Sequence, residues 1–154
     1  SGVLAALQNH RLLMPAGFIG GTILGTVLSV SLMSLPFAEW VITLSVLAAG
    51  AVAMRGRTTA VLPATMLAAL AGLFHGWAYG AAVIGAEMTP LMAYLAGFSL
   101  VQLAIVLTTG YVLRMICNVS SAEALRPRLA GAMIAGVGLS YFVELVEAAV
   151  FPAM

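Results

Sequence analysis

Five long apolar stretches dominate this sequence, and their length constrains the fold more than any other feature. They cover residues 12–35, 37–54, 59–80, 90–113 and 129–151. A helix that crosses the hydrocarbon core of a bilayer needs about 20 apolar residues. The stretches are continuously apolar rather than alternating with polar residues, and they are about twice as long as a transmembrane β-strand. The sequence therefore predicts an all-α, polytopic transmembrane helical bundle that forms one domain over residues 1–154.

Composition excludes most other classes of protein. Of the 154 residues, 63% are hydrophobic and 7% are charged, whereas soluble domains carry about 25% charged residues. All six basic residues are arginines and all five acidic residues are glutamates, too few for a nucleic-acid-binding surface. The single cysteine, Cys117, cannot form an internal disulfide. Because the chain also contains no GxSxG, HExxH or Walker motif, we expect no catalytic residues and a lipid bilayer as the main partner.

Residues 1–9, of which 1–7 form the apolar part, are too few to cross a membrane, and the chain begins with Ser1 rather than methionine. We interpret this segment as the end of a sixth helix that has been truncated or processed.

The charged residues indicate one orientation in the membrane. Arginines occur before the first stretch, between the second and third, and between the fourth and fifth, whereas Glu39 and Glu87 lie in the other connections. By the positive-inside rule, the arginine-bearing connections are cytoplasmic and the two glutamate loops and the C-terminus face outward. Trp40 and Tyr94 then lie near outward ends, where aromatic side chains anchor helices at the interface. The arginines are Arg11, Arg55, Arg57, Arg114, Arg126 and Arg128.

Two sets of glycines recur every fourth residue. Such spacing places each set on one face of its helix, where small residues let lipid-embedded helices approach closely. We therefore predict two helix-packing faces, formed by Gly17, Gly21 and Gly25 and by Gly72, Gly76 and Gly80.

His75 is the only histidine inside a predicted span, and several glutamates are predicted at a similar depth. At 1.5 Å per residue, His75 lies roughly 24 Å above the cytoplasmic start of its helix, Glu144 about 22 Å and Glu147 about 27 Å. Glu39, Tyr79 and Glu87 belong to the same outward end. We therefore expect an outward-opening layer that contains His75 and four of the five carboxylates.

Imidazole nitrogen and carboxylate oxygen together suit a divalent transition metal such as nickel, cobalt or zinc. A proton relay would use the same residue types. A third interpretation gives these residues no functional role: the glutamates reach the membrane interface, and His75 donates a hydrogen bond to a neighbouring carbonyl. The residues alone leave all three interpretations open.

Two segments resemble a known family. Residues 74–80, Phe-His-Gly-Trp-Ala-Tyr-Gly, and residues 85–94, Gly-Ala-Glu-Met-Thr-Pro-Leu-Met-Ala-Tyr, are similar to the HupE/UreJ family of hydrogenase and urease accessory membrane proteins. The likeness extends over residues 11–25, residues 39–47 and the last helix. It implies a nickel permease that supplies nickel enzymes, located in a bacterial inner membrane, with His75 as a metal-contacting residue and Glu87 as a second one.

This chain departs from the motifs of many members. Tyr79 stands where many members have a second histidine, and Ala81 or Ala82 stands where they have an acidic residue; the closest branch has tyrosine followed by a later Gly-Ala-Glu. The family's further His/Asp motif would fall just before Ser1.

Two hypotheses follow from these observations. The first is a permease for nickel, or alternatively for cobalt or zinc, that holds no tightly bound cofactor. Its metal ligands are His75, Glu87 and Glu144, and its pathway is lined by Tyr79, Glu39 and Glu147. The second is a structural or assembly subunit derived from such a permease, with other membrane subunits as its partners.

Overall fold

The computed structural model describes residues 12–31, 37–57, 59–81, 88–116, 118, 121 and 123–151. These residues form five helices, and a single π-helical turn, Val112–Ile116, extends the fourth of them. Each of the five is long and apolar enough to cross a membrane, so the predicted all-α bundle with five spans is confirmed. The helices are α1 (Leu13–Ser31), α2 (Ala38–Arg55), α3 (Val61–Ala81), α4 (Met88–Tyr111) and α5 (Leu125–Val150). The predicted end of a sixth helix at residues 1–9 lies outside the described residues.

Local sequence signals explain where the helices begin and end. Four helices carry a proline as their third residue, where the missing N–H costs nothing because the first four N–H groups of a helix have no partner within it. At its other end, α2 stops at Gly56, whose φ of 66° is the left-handed conformation that glycine adopts easily. The prolines are Pro15, Pro63, Pro90 and Pro127.

The helices form two extensive pairs that are joined by smaller contacts. α1 packs against α3, and α2 packs against α5; a smaller interface connects α2 with α3, and another connects α1 with α4. In the α1–α3 pair, Gly17 meets Thr65, and Gly25, further along α1, meets Leu73. These two helices therefore run in the same direction.

The α2–α5 pair runs in opposite directions. Gly131 near the start of α5 lies against Ala53 near the end of α2, and Gly138 lies against Leu47. At the shared end of the pair, the Nε atom of Arg128 donates a hydrogen bond of 3.1 Å to the carbonyl oxygen of Met54. That bond satisfies one of the last carbonyl groups of α2, which have no partner within the helix.

Large apolar side chains cover much of the outer surface. Only 11% of the residues in the α4 and α5 spans are buried, against 39% in the α1 span. Exposed apolar surface on this scale is unfavourable in water and requires another apolar medium. The five apolar helices thus make this a multi-pass membrane protein in which α1 is the most enclosed helix.

Candidate metal site

His75 lies in the second half of α3, and its imidazole ring has a defined hydrogen bond. Its Nδ1 atom lies 2.8 Å from the carbonyl oxygen of Ala71, one turn earlier in the same helix. A carbonyl oxygen only accepts, so Nδ1 must carry the hydrogen. In a neutral imidazole, Nε2 then keeps a free lone pair, which is the form of histidine that binds a metal ion.

The interpretation that gives His75 no functional role predicts a bond of this kind, which satisfies one nitrogen of the ring. The bond does not use the second nitrogen. Histidines that bind metals generally donate their other N–H to a carbonyl or a carboxylate, which holds the ring in place and increases its basicity as a ligand. The observed bond is therefore what a metal-binding His75 would also require.

The ring of His75 lies beside the α1–α3 interface, which is the most extensive one among the described helices. The ring of Phe18 on α1 meets it edge to face, with centroids 5.4 Å apart. On either side along α3, a Cβ atom at Gly72 or at Gly76 would overlap the carbonyl oxygens of Phe18 and Thr22, respectively. Only glycine allows this backbone approach, and the approach brings Phe18 onto the imidazole.

Both glycine faces identified in the sequence lie in this interface, directly against each other. On α1, a Cβ atom at Gly21 or Gly25 would overlap the carbonyl oxygen of Ala69 or Leu73, respectively. Lipid-embedded helices are held together by such close contacts, because both helix surfaces and lipid tails are apolar.

A row of buried hydroxyl groups on α1 accompanies the glycines, and the sequence analysis missed it. Thr22 and Thr26 are each 1% exposed and Ser29 is 4% exposed. Thr26 donates across the interface to the carbonyl oxygen of Gly76 at 2.9 Å, next to His75 in the chain. The sequence does contain a pattern that predicts this row. The three hydroxyl residues are spaced by four and three positions, next to the glycines, which places them on one helix face.

Three aromatic rings lie toward the end of α3, one turn beyond His75. The ring of Tyr79 meets Phe98 of α4 at a centroid distance of 4.7 Å, and Phe98 stacks on Tyr94 at 5.8 Å. Tyr79, predicted from sequence to line the pathway, therefore lies between α3 and α4, and the predicted interfacial anchor Tyr94 belongs to the same cluster.

The structure does not bring the described glutamates to His75. Glu39, in the first turn of α2, is exposed, and so are Glu144 and Glu147 on α5. The ring of Phe142 contacts Trp40 of α2 and thus marks the packed face of α5; Glu144 lies about 200° and Glu147 about 140° around the helix from it. Among the described residues, no group of three or more His, Cys, Asp or Glu side chains forms a metal site. Glu87 lies outside the described residues.

Gln102 is a second polar residue that the sequence analysis overlooked. It lies on the face of α4 that carries the buried Leu95 and Val106, and its Oε1 atom is buried. Within the part of the chain that the structure describes, this oxygen is the one buried side-chain polar atom that has no hydrogen-bond partner.

These features define a multi-pass helical membrane protein with one histidine held between packed spans. A family model described as HupE / UreJ protein matches residues 1–141. The chain belongs to the HupE/UreJ family, which confirms the resemblance found in the sequence. The family is one of membrane accessory proteins that are linked to nickel and cobalt transport. No curated protein and no solved structure shows significant similarity to the chain.

Proposed function

We propose that this protein is a permease that carries a divalent transition-metal ion, nickel in the first place, across the membrane for the maturation of metalloenzymes. The observation that carries the proposal is the hydrogen bond from Nδ1 of His75 to the carbonyl oxygen of Ala71 at 2.8 Å. That bond leaves Nε2 as a metal ligand on a ring that Phe18 and the α1–α3 contact hold in place.

The imidazole nitrogen of His75, as a ligand, favours some divalent ions over others. An imidazole nitrogen suits borderline ions such as Ni²⁺, Co²⁺ and Zn²⁺ better than Mg²⁺ or Ca²⁺, which prefer oxygen ligands. Family membership favours nickel among the three ions. A neutral imidazole also adds no charge of its own to the span, and ionised side chains are costly inside a bilayer.

Glu87 is the carboxylate that we propose as partner of His75, on the strength of its place in the family motif. Glu144 lies on the face of α5 turned away from α2, and α5 belongs to the other helix pair. We therefore propose His75 and Glu87, rather than Glu144, as ligands of the transported ion.

We also propose an orientation in a bacterial inner membrane. The contact between Arg128 and Met54 brings the start of α5 to the end of α2, so Arg55, Arg57, Arg126 and Arg128 lie at one end of this pair. By the positive-inside rule that end is cytoplasmic. The Glu39 and Glu87 connections then face outward, and the ion enters from the side of Tyr79.

Uptake of radioactive nickel by cells that express the protein tests the proposal. His75→Ala removes the ligand and is expected to lower uptake about tenfold or more, with an unchanged amount of protein in the membrane. His10→Ala, which removes the other histidine of the chain, is the matched control and is expected to retain uptake. Undiminished uptake by the His75→Ala variant would contradict the proposal and leave a structural role in a larger membrane complex.

A further inference from the structure

Gln102 occupies an unusual place for a polar side chain. It lies in the apolar helix α4 on the face defined by Leu91, Leu95, Phe98 and Val106, which recur at helical spacing and point inward. Its buried Oε1 atom has no hydrogen-bond partner within the described part of the chain. A buried acceptor without a partner costs about 1 to 3 kcal/mol, and such an atom in a native structure calls for an explanation, of which a bound ion is one.

Counting along α3 and α4 from one aromatic contact puts Gln102 at about the depth of His75. The rings of Tyr79 and Phe98 are in contact at 4.7 Å. Successive membrane spans run in opposite directions. One turn back along α3 from Tyr79 and one turn forward along α4 from Phe98 therefore lead toward the same side of the membrane. One turn from Tyr79 is His75, and one turn from Phe98 is Gln102, each on the same helix face as its aromatic neighbour.

Both groups present a lone pair at this depth. Because Nδ1 of His75 donates to Ala71, its Nε2 atom is an acceptor. The Oε1 atom of Gln102 is also an acceptor and cannot bond to Nε2. A hydrogen bond between the two side chains would use the amide N–H group of Gln102 and would leave Oε1 without a partner. A cation satisfies both at once, because it accepts electron pairs from a nitrogen and an oxygen together.

The geometry points to Gln102 as a further ligand of the transported ion, which joins His75 and Glu87 through its amide oxygen and helps to set how tightly the ion is held. This inference rests on the proposed function, since it concerns the same divalent cation. An amide oxygen is neutral and therefore holds a cation more weakly than a carboxylate does. A transport pathway needs such weak binding, because an ion that is held too tightly is not released.

Nickel binding to the purified full chain in lipid nanodiscs, together with nickel uptake in cells, tests this assignment. Gln102→Leu keeps a side chain of similar size without the amide and is expected to weaken Ni²⁺ binding about tenfold. Gln102→Glu is expected to bind Ni²⁺ more tightly than the wild type and yet to support less uptake, since release slows. The matched control is Thr109→Val, because the hydroxyl of Thr109 donates only within α4, to Ile105; it is expected to match the wild type.

The outcomes distinguish a failure of Gln102 as a ligand from a failure of nickel transport as the function. If His75→Ala loses nickel binding and Gln102→Leu binds as the wild type does, Gln102 is not a ligand and the proposed function survives. If the wild type itself binds no nickel, both proposals fall. Weaker binding by Gln102→Glu as well as by Gln102→Leu would indicate a packing role for Gln102 and overturn the inference, because only a ligand gains from the added charge.

Discussion

The hydroxyl group of Thr26 on α1 donates a hydrogen bond to the main-chain carbonyl oxygen of Gly76 on α3, at a distance of 2.9 Å. It shares its hydrogen with the carbonyl oxygen of Thr22 in its own helix, also at 2.9 Å. Gly76 is the residue after His75, so this bond connects the backbone beside the imidazole to the most enclosed helix of the bundle.

Thr26→Val is therefore expected to loosen the α1–α3 pair. The change keeps the shape of the side chain and removes the donor, and interhelical hydrogen bonds in membranes are worth about 0.6 kcal/mol on average and up to about 1.7 kcal/mol. Denaturant unfolding in mixed micelles measures the change in stability. Thr109→Val serves as the reference, because its bond lies within α4; an equal effect of the two substitutions would deny Thr26 an interhelical role.

Gly76→Ala is expected to cause a larger loss of stability. The added Cβ atom would overlap the carbonyl oxygen of Thr22, so the helices must separate, at a cost of about 1 to 3 kcal/mol. Gly97→Ala on α4 is a matched control, since a Cβ atom there meets nothing within 4 Å. The control should retain or gain stability in the same unfolding assay; similar losses for both variants would contradict the close packing at Gly76.

The hydrogen on the imidazole can be located directly. In a His10→Asn background, which leaves His75 as the only histidine, nitrogen NMR of the metal-free protein at alkaline pH is expected to show Nδ1 protonated and Nε2 bare. Addition of Zn²⁺, which is diamagnetic, should shift the Nε2 resonance. A ring protonated at Nε2 would be incompatible with the bond to Ala71 and would remove the basis for metal binding.

The proposed orientation makes a prediction about labelling from outside the cell. In a Cys117→Ser background, Phe37→Cys at the start of α2 should react with an impermeant thiol reagent in intact cells, because Phe37 is 74% exposed and lies at the outward end. Ser121→Cys, also exposed, should react only after the membrane is opened. The reverse pattern would invert the topology and place entry of the ion on the cytoplasmic side.

The spans were predictable because hydrophobic length alone determines whether a helix can cross a bilayer. The glycine faces were visible for a similar reason, since spacing determines which residues share a face. That the two faces meet each other in a parallel pair was not predictable, because a small-residue face fits many partners.

The expected layer of carboxylates shows what residue counting along a helix cannot predict. Counting residues along a helix measures depth, and Glu144 and His75 do have similar counted depths. The residue count does not determine which way a side chain faces, and Glu144 lies on the side of α5 that is turned away from α2. Gln102 escaped notice because an uncharged amide contributes nothing to a charge pattern; its importance depends on burial, which only the structure provides.

The parallel direction of α1 and α3 has a consequence for how the protein is made. Two helices that run the same way cannot be neighbours in the chain, so the ribosome must deliver α1, then α2, then α3 to the lipid before the first can find its partner. Until that third segment has been inserted, Phe18 and Thr26 of α1 lack the α3 surface against which they pack. The contact between Phe18 and the imidazole therefore cannot form during synthesis of the first two of these helices.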